Sequence, residues 1–591
     1  MKKLMALIFA ITALLCLSAQ AETVGGDCGE NGGDNVKWEL NTETGELRVF
    51  GEGLMADYLF SATDHAPWFN YSDCIHSVII EEGVISVGYG AFKGGWFGVL
   101  YNLESVTLPE SLTVISHEAF RQCPALSHID IPAGVKSIGD YAFAYSGIEE
   151  IRFTNCAEIG RWAFYYCQSL KNVYLPATVS EIGGSAFAGC PQLEAVEVAP
   201  ANQFYFDDGG VLYSREPMTI LCYPPAKAMD EYTIPEGVIR IASNAFCLSP
   251  SPRKLIIPST VETIDSQTFI SATAPEEFSV SDINTAYSSV DGVLFSKDKA
   301  VLVKYPAGKK DETYTAPEGV TTLAAYSFAY NPFLKSLSLP DGISALENYS
   351  IYRCPALEQL ELPNGIEKFG DRYNTFLFHY CTSLSALRLP QSIKEFNTSS
   401  YDTGIVNIEL PEGLEKISLS INSIKTIVLP DTLADSRSID IWNGIVLYRA
   451  DTKTGSAIKD MHYKEKYIPS IIAFGEEPSV VGKITADREA TVNGVTIPLW
   501  RINESLYASE SDLARCGYSF SWNAGSRTTT ITAPDNAVWE VSEAEQESAS
   551  TADIWSSDVK FVLNGFVIPS LNIGGGESVL DINAVAGRKI Y

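Results

Sequence analysis

The sequence predicts a β-rich solenoid, in which short strands stack and are joined by loops or short helical returns, followed by small α+β modules. Three observations lead to this fold class: a recurring unit of about twenty residues, an Ala-Phe pair at the same place in each copy, and alternating apolar and polar residues where each copy begins. The phenylalanines Phe120, Phe143, Phe164 and Phe187 follow one another at spacings of 23, 21 and 23 residues. A fixed period in the twenties is typical of a stacked repeat.

Each copy begins with residues that suit a strand. In the copy that begins at Leu103, residues 105–108 alternate polar and apolar, so that one pair faces the interior and the other faces solvent. Pro109 then ends the strand, because proline cannot donate a ladder hydrogen bond. The pair Val114-Ile115 returns the chain across the core, and Phe120 places a large ring beneath the next copy. One copy cannot bury its own apolar face, so the copies must stack.

The repeated phrases resemble the BspA-like leucine-rich repeat, a bacterial surface variant of the leucine-rich repeats. The matching segments read LESVTLPESLTVISHEAFRQC, LSHIDIPAGVKSIGDYAF and LKNVYLPATVSEIGGSAFAGC. The resemblance covers residues 75–435. It implies display on a cell surface and contact with host proteins or with other cells.

The composition of the chain changes several times, and these changes divide it into parts. We predict a signal peptide at 1–21, an N-terminal cap at 22–74, a leucine-rich repeat solenoid at 75–435, an irregular connector at 436–477, a stalk-like module at 478–535, a linker at 536–555 and a partial second stalk-like module at 556–591. Within the cap, residues 36–40 and 47–50 read as a β-hairpin. Trp38, Trp68 and Phe69 are expected in its core, although aromatic clusters can also stack on sugars.

The first residues carry the features of a secretory signal peptide. Lys2 and Lys3 precede an apolar run over residues 4–17, and the small residues Ala19 and Ala21 suit a cleavage site after Ala21. No later run approaches the ~18–20 apolar residues that span a bilayer. We therefore expect no transmembrane span and a location that is secreted or on the cell surface.

A block of 82 residues is duplicated inside the predicted solenoid. The phrase Gly-Val-Leu-Tyr-Ser at 210–214 returns as Gly-Val-Leu-Phe-Ser at 292–296, and Phe246 returns as Phe328 (328 − 246 = 82). The phrase is expected to form a hairpin that leaves the regular stack. After Ile405 and Ile424 no Ala-Phe pair follows, so the solenoid is expected to thin towards residue 435.

The C-terminal residues resemble the stalk domain at the N-terminus of copper amine oxidases, which also occurs on bacterial envelope proteins. The matching features are Asn493-Gly494, Ile497-Pro498, Trp522 and the threonine run 528–532, with a partial second copy that begins at Asn564-Gly565, 71 residues later. Residues 511–515 read as a short capped helix. The resemblance implies attachment to the cell wall. It implies no amine oxidase chemistry, since the histidines at 65, 76, 117, 128, 379 and 462 have no metal-ligand spacing.

The cysteines follow the repeat. Twelve cysteines less Cys16 leave eleven in the exported chain, and Cys123, Cys167 and Cys190 each lie three residues after a repeat phenylalanine. We interpret them as buried residues that fill a small slot of the repeat, although export would permit disulfides. No cysteine and histidine set has zinc spacing, so we predict neither a metal nor a cofactor.

The charge of the chain excludes one class of partner. The formal net charge is −31, and it becomes −33 when Lys2 and Lys3 leave with the signal peptide. A chain this acidic is repelled by phosphate backbones, so binding to nucleic acid is not expected.

No catalytic motif can be recognised in the sequence, and we predict that the chain is not an enzyme. His117 and His128 could serve as acid-base groups, but no nucleophile can be paired with either, so we interpret them as surface residues. Asp207, Asp208 and Asp291 could indicate calcium, but they lack the ligand spacing of a calcium loop and are better explained as solvated turn residues.

Strand residues that point away from the core should form columns on the surface of the solenoid. The candidate ligand face consists of Thr107, Asp130, Arg152, Tyr174, Glu197, Ser338, Glu361, Arg388 and Glu409. These side chains mix polar, charged and aromatic groups, which suits a host or cell-surface protein or a glycan. The alternative is that they form only the solvated face of a sheet.

Three functions remain open at this stage. The first is a non-catalytic exported or cell-surface protein that binds a ligand and mediates adhesion through the solenoid face. The second is a secreted polysaccharide-active enzyme or its accessory subunit, and the third is a structural component of the cell envelope.

Overall fold

The structure, a computed structural model, describes residues 23–59, 65–94, 100–250, 252–366, 368–369, 376–421, 423–424, 426–440, 445–449 and 454, and, beyond these, the strands between residues 470 and 581 whose bounds are given below. The chain forms two compact units, Met1–Gly292 and Val293–Tyr591. Both contain the predicted β-solenoid, with parallel strands of two to six residues and almost no helix. The predicted signal peptide and the predicted helix at 511–515 lie outside the described residues.

The N-terminal cap joins the first sheet of the solenoid directly. The predicted hairpin is confirmed: Val36–Asn41 pairs antiparallel with Glu46–Gly51, and Thr23–Asp27 lies on the other side of Val36–Asn41. Glu46–Gly51 then pairs parallel with Ser77–Ile80, so the hairpin supplies a backbone edge on which the solenoid starts. Two short 3-10 helices, Glu30–Gly32 and Phe69–Cys74, complete the cap region.

The cap has an aromatic core. Trp38 and Trp68 are buried, as predicted, with their ring centroids 5.9 Å apart. Phe69 is only half-buried and stacks on His65, so its assignment to the core was wrong.

Two strand-bearing faces run along the first unit. The first face contains Ser77–Ile80, Ser105–Thr107, Glu150–Arg152, Asn172–Leu175, Ala195–Val198, Glu231–Thr233, Lys254–Ile257 and Glu277–Val280. The second face contains Gly53–Leu54, Val84–Val87, Val114–Ile115, Ser137–Ile138, Glu158–Ile159, Glu181–Ile182, Arg240–Ile241 and Thr263–Ile264. Parallel pairing of each short strand with the next rung satisfies the backbone groups that one rung leaves open.

One predicted strand is not formed. Residues 127–131 form no strand, and the first face is divided at this rung into a five-stranded and a three-stranded sheet. Ile129 and Ile131 are nevertheless buried. Burial of alternate side chains therefore holds this rung in place, together with the hydrogen bond from the Glu149 N–H to the Ser127 oxygen, rather than a continuous strand ladder.

A third side of the solenoid, here called the turn side, is built from the segments around the Ala-Phe pairs. The N–H groups of Phe120, Phe143 and Phe164 each donate to the alanine oxygen of the following rung at 2.7–2.8 Å. Residues two positions before and two positions after the phenylalanine have positive φ, as at Tyr141 (57°) and Tyr145 (61°). These residues with positive φ direct the backbone N–H groups of the turn towards the neighbouring rung. Backbone hydrogen bonds therefore join the turns of neighbouring rungs, as they join strands in a sheet.

A column of rings fills the centre of the first unit. Neighbouring centroids lie 5.2–5.7 Å apart in the order Trp68, Phe92, Phe120, Phe143, Phe164 and Phe187. All six rings are buried. The predicted role of the Ala-Phe pair, a ring placed beneath the next copy, is therefore confirmed.

The duplicated phrase forms the predicted hairpin excursions. In the first unit Tyr205–Asp208, Val211–Ser214 and Thr219–Cys222 pair antiparallel in succession. Tyr287–Val290 ends that unit. In the second unit Val293–Ser296 pairs antiparallel with Val301–Lys304.

The second unit repeats the two strand-bearing faces. One contains Thr313–Thr315, Ser336–Ser338, Gln359–Glu361, Ala386–Arg388, Asn407–Glu409, Thr426–Val428, Ile445–Arg449 and Ser470–Phe474. The other contains Val301–Lys304, Thr322–Leu323, Ala345–Leu346, Lys368–Phe369, Glu395–Ser400, Lys416–Ile421 and Asp435–Asp440. Parallel pairing continues to Ser470–Phe474, so the interval 436–477 is more regular than the predicted connector.

The C-terminal strands form two sheets. The larger contains Val495–Ile502, Ser505–Ser509, Glu577–Asp581, Ser570–Ile573, Thr551–Trp555, Val480–Val492 and Trp539–Glu543 in that order. The smaller contains Ser519–Asn523, Thr528–Thr532, Lys560–Leu563 and Phe566–Ile568. Both sheets mix strands from the two predicted modules, so the second module completes its sheets with strands of the first.

The predicted flexible linker at 536–555 is wrong in part. Trp539–Glu543 and Thr551–Trp555 are strands that pair antiparallel with Val480–Val492. The sequence of the first strand, Trp-Glu-Val-Ser-Glu, alternates apolar and polar residues as a half-buried strand does. The acidic and serine-rich composition around it concealed that pattern.

The described residues include no helix with the length and hydropathy that a membrane crossing requires.

Candidate binding surface

Three predicted site residues of the first unit lie side by side on neighbouring strands. Arg152 is opposite Tyr174, and Tyr174 is opposite Glu197 in the parallel register. The Arg152 guanidinium lies 4.9 Å from the centroid of the Tyr174 ring and 3.3 Å from a carboxylate oxygen of Glu150. The side chains of Arg152 and Glu197 are exposed. This trio, here called the strand-face cluster, offers a cation, an aromatic ring and a carboxylate to solvent.

Two further predicted residues of this unit lie apart from the cluster. Thr107 is exposed at the end of Ser105–Thr107. Asp130 lies on the rung without a strand, with a side chain that is 96% exposed and 3.2 Å from a nitrogen of His128. Neither residue is in register with Arg152, because that rung separates the two sheets of the face.

In the second unit the predicted residues form two in-register pairs. Ser338 is opposite Glu361, and Arg388 is opposite Glu409. The Arg388 Nε donates to a Glu409 oxygen at 3.0 Å. Glu361, Arg388 and Glu409 border an open cavity of about 590 Å³, whose other lining residues include Asn364. These three charged lining residues give the cavity a net charge of −1.

The described histidines and acidic residues that the sequence singled out serve structural roles or are exposed. His117 is exposed, and its Nδ1 accepts a hydrogen bond from the Asp140 N–H at 2.8 Å. Asp207 accepts from the Val198 and Gly210 N–H groups, as a turn residue does. Within the described residues, no group of three or more histidine, cysteine, aspartate or glutamate side chains could hold a metal ion.

A buried ion cluster lies at one end of the turn side. Lys93 and Arg121 both donate to the Glu118 carboxylate, which is largely buried. Burial raises the pKa of Glu118, but the hydrogen bonds from Lys93 and Arg121 outweigh it, so the pKa lies below its ordinary value. Glu118 is therefore ionised and neutralised locally, and it adds no free acid to this surface.

The turn side carries an aromatic surface that sequence reasoning missed. Tyr141 stacks on Trp162 at 4.9 Å, and Tyr145 stacks on Tyr166 at 5.7 Å. Tyr165 packs edge-on against Tyr145. The signal was present in the sequence, since aromatic residues recur two positions before and two positions after the repeat phenylalanines. The predicted ligand face considered only strand positions.

A family model described as the BspA type leucine rich repeat region matches residues 95–206, 223–299 and 307–424, slightly more than half of the chain. The chain belongs to this family. The resemblance to the BspA-like repeat is therefore confirmed, whereas the resemblance of the C-terminal modules to a stalk domain stays a prediction. No curated protein matches the chain.

Several solved structures are similar to this BspA-type protein. A leucine-rich repeat protein from Eubacterium ventriosum is 21% identical, with 71% of this chain and 94% of that chain covered and a TM-score of 0.32. The pneumococcal vaccine antigen PcpA is 20% identical, with 77% and 100% covered and a TM-score of 0.34. A leucine rich cell surface protein from Faecalibacterium prausnitzii is 17% identical, with 75% and 98% covered and a TM-score of 0.36.

The second unit of the BspA-type protein has its own aromatic turn side. Tyr326 stacks on Tyr349 at 4.9 Å with the ring planes 5° apart. The Arg353 guanidinium lies 4.4 Å from the ring of Tyr380 and 5.6 Å from that of Tyr352. Burial raises the pKa of Tyr326 to about 12, so its hydroxyl stays protonated at neutral pH.

Proposed function

We propose that this BspA-type protein is a non-catalytic protein that is exported to the cell surface or the medium and binds a host or cell-surface protein or a glycan. The observation that carries the proposal is the strand-face cluster, in which Arg152, Tyr174 and Glu197 lie on adjacent rungs with their side chains towards solvent. A rigid stack of rungs holds such groups at fixed spacing, which limits the entropy lost on binding.

The C-terminal strands suit an attachment or spacer part, and we propose that they contact the cell wall. The resemblance of this part to a stalk domain supports the proposal. The predicted signal peptide supports export, with Glu22 as the first residue of the mature protein.

The test is a binding screen of the mature chain, residues 22–591, against purified extracellular-matrix proteins, a glycan array and isolated cell walls. Saturable binding to a protein or a glycan supports the proposal. The double variant Arg152→Ser/Tyr174→Ser removes the guanidinium and the ring from the strand-face cluster, while Thr107→Ser serves as a matched control on the same face.

The alternatives predict different results in the same screen. Hydrolysis of a polysaccharide by the purified chain would favour an enzyme or its accessory subunit. Binding to cell walls alone would favour a structural envelope component. An N-terminal sequence of the exported protein that does not begin at Glu22 would contradict the predicted cleavage after Ala21.

A further inference from the structure

The turn side of the first unit concentrates aromatic and cationic side chains in one patch. This turn-side patch consists of Arg121, Tyr141, Tyr145, Arg161, Trp162, Tyr165 and Tyr166. The Arg161 guanidinium lies 4.4 Å from the Trp162 ring, and that of Arg121 lies 5.1 Å from the Tyr141 ring. The order Arg121, Tyr141, Trp162, Arg161 is thus one continuous stack of alternating contacts.

The rings of the patch lie outside the core. The residues behind them, Ala142 and Phe143 in one rung and Ala163 and Phe164 in the next, are fully buried and complete the packing. Tyr145 is 39% exposed. The patch rings therefore add a second aromatic layer on the surface of a core that is already closed.

The backbone at these rings is strained. Tyr141, Tyr145, Trp162 and Tyr166 have φ values of 57°, 61°, 53° and 56°. Such values are uncommon for bulky residues, because in the left-handed conformation the Cβ lies close to the following carbonyl oxygen. The same φ values recur at Glu118, Ser185 and Asn244, so this conformation belongs to the turns of the repeat, and the large rings are accommodated in spite of it.

The solenoid does not need aromatic residues at these positions. The corresponding positions of other rungs hold Ser185, Gly189, Asn244 and Leu248, with φ of 58–75°. Those rungs make the same hydrogen bonds, as from the Phe246 N–H to the Thr268 oxygen at 3.1 Å. The backbone alone therefore does not explain why this patch is aromatic.

The composition of the patch is that of the centre of a protein interface. Tyrosine, tryptophan and arginine are enriched in such centres, and acidic residues are depleted. Residues 141–147 and 161–172 contain no aspartate or glutamate, and the two carboxylates that border the patch are already engaged, Glu118 by Arg121 and Asp140 by the Arg161 N–H. The guanidinium groups are donors, so the patch is complementary to a surface that offers carboxylate or carbonyl oxygens.

The ring faces argue against a glycan at this patch. A pyranose stacks on an open aromatic face, but Tyr141 has Arg121 on one side and Trp162 on the other. Trp162 is likewise in contact with Tyr141 and Arg161. Rings whose faces are already in contact with a neighbouring ring or guanidinium suit a packed protein surface better than a sugar.

We propose that the turn-side patch is the protein-binding hot spot of this chain, a specification that rests on the proposed ligand-binding function. The partner is a protein whose contacting surface places carboxylate or carbonyl oxygens around an apolar centre. Arg161 pairs with those oxygens, whereas Arg121 is held by Glu118, and Tyr145 and Trp162 pack against the apolar centre.

The test compares sets of substitutions in the mature chain. The turn-side variant Tyr141→Asn/Tyr145→Leu/Trp162→Ser takes the residues that the chain itself has at 244, 248 and 185, so the backbone is suited to them. The control is Glu158→Gln/Glu181→Gln, at two exposed residues that are in register on the second strand-bearing face. The strand-face variant Arg152→Ser/Tyr174→Ser is measured beside it. The probes are purified laminin and collagen, a random-peptide library displayed on phage and a glycan array.

The expected result is a loss of affinity for the bound protein or selected peptides of about tenfold or more in the turn-side variant. The control variant should change this affinity less than about twofold, and the strand-face variant should lose less affinity than the turn-side variant. Tyr145→Leu alone should give a smaller loss in the same direction, and it remains informative if the triple variant fails to fold.

Three outcomes overturn the inference. Unchanged protein binding in the turn-side variant, with loss in the strand-face variant, overturns the patch and leaves the proposed function standing. Binding of glycans alone has the same consequence. The absence of binding to every probe contradicts the proposed function itself.

Discussion

Three residues after a stacked phenylalanine, the chain enters a closed slot in which several cysteines donate to the preceding rung. The Cys123, Cys167 and Cys190 thiols donate to the oxygens of Phe92, Phe143 and Phe164 at 3.0–3.2 Å. Ser146 and Ser249 occupy the same slot and are buried. Ala272, three residues after Phe269, is buried in the same way, so the slot selects small residues, which explains the cysteine spacing without disulfides or metal.

Burial disfavours the reactive thiolate form of several buried cysteines. It raises the pKa of Cys123, Cys222 and Cys247 to about 12, because a thiolate would lose its hydration. Ten cysteines of the described chain are free thiols. The spacing in the sequence predicted the buried slot, but the carbonyl acceptor could not be predicted, because it belongs to another rung.

Lys304 is a buried cation in an apolar core. It occupies the position that Cys222 holds in the first copy of the duplicated block (304 − 222 = 82). Its Nζ donates to the oxygens of Tyr326 and Ala329 at 2.8 and 2.9 Å. Burial lowers its pKa to about 7, since the charged form is poorly solvated there.

Replacing this lysine should change how stability depends on pH. The pKa of Lys304 is lower in the folded chain than the value of about 10.4 in the unfolded chain, so the unfolded chain binds more protons between these values. The wild type therefore gains stability relative to Lys304→Met as pH rises from about 7 to about 10, by up to about 4 kcal/mol.

Thermal denaturation of both proteins at intervals from pH 6 to pH 10 measures this difference. Comparison with Lys309→Met, at a residue that is only partly buried, removes general effects of charge. A difference between wild type and Lys304→Met that is constant with pH would contradict a neutral buried lysine.

Among the elements, the ring column of the first unit carries the stacking of the rungs. Phe143 contacts Phe120 at 5.4 Å and Phe164 at 5.2 Å, whereas Phe187 contacts Phe164 at 5.7 Å. We expect Phe143→Ala to destabilise the protein by about 3–5 kcal/mol. The loss of stability in Phe143→Ala should exceed that in Phe187→Ala by about 0.5–1.5 kcal/mol, because two ring contacts are lost instead of one.

Urea denaturation followed by near-ultraviolet circular dichroism measures both variants. Phe143→Leu, which keeps much of the volume, should recover most of the loss. Equal losses for Phe143→Ala and Phe187→Ala would show that ring stacking adds nothing to burial.

The duplicated block supplies a pair of equivalent asparagines. The Asn202 amide donates to the oxygens of Pro176 and Val179, both at 2.9 Å. Asn284, 82 residues later, donates to those of Pro258 and Val261 at 2.8 and 3.0 Å. Both side chains are buried and clamp a hairpin excursion onto the preceding rung.

Because the two environments match, the two asparagines should contribute equally. Asn202→Ala and Asn284→Ala should each lower the free energy of unfolding by about 2–4 kcal/mol, as each leaves buried carbonyl groups unpaired. The losses should agree within about 1 kcal/mol. Guanidinium denaturation tests this, and a loss in only one of the two variants would contradict the structural equivalence of the blocks.

The elements differ in how well they could be predicted from the sequence. The strands of the two faces could be predicted from alternating apolar and polar residues and from the prolines that end them. The hairpin at 36–50 could be predicted from two such segments separated by a short turn. The turn side could not be predicted, because its positive φ values fall on Tyr141 and Trp162 rather than on glycine. The strand predicted at 127–131 is not formed, because a strand requires hydrogen bonds to the neighbouring rungs, and these cannot be read from one segment of sequence.

For the whole molecule, the repeat made the fold class predictable, but it did not determine where the binding site lies. The residues on both strand-bearing faces alternate in the sequence, and Arg152, Tyr174 and Glu197 could be placed on one face before the structure was known. Which face recognises a partner could not be predicted, since exposure of a side chain follows from periodicity but complementarity to a partner does not. The C-terminal strands were divided wrongly because 539–543 and 551–555 pair with Val480–Val492 across a long interval.

The net charge of the exported chain predicts how it meets polyanions. The charge of −33 repels heparin and DNA over about 30 Å at low salt, where screening is weak. At physiological salt the screening length is about 8 Å, so a bound polyanion senses only nearby charges. In the turn-side patch, the charge of Arg121 is offset by the adjacent Glu118 carboxylate. We expect the mature chain to pass through a heparin column under both conditions and to be retained by an anion exchanger at low salt. If the chain were instead retained on heparin once salt is raised, the cations of the turn-side patch would be acting independently of the net charge. Loss of that retention in Arg161→Gln would assign it to the turn-side patch.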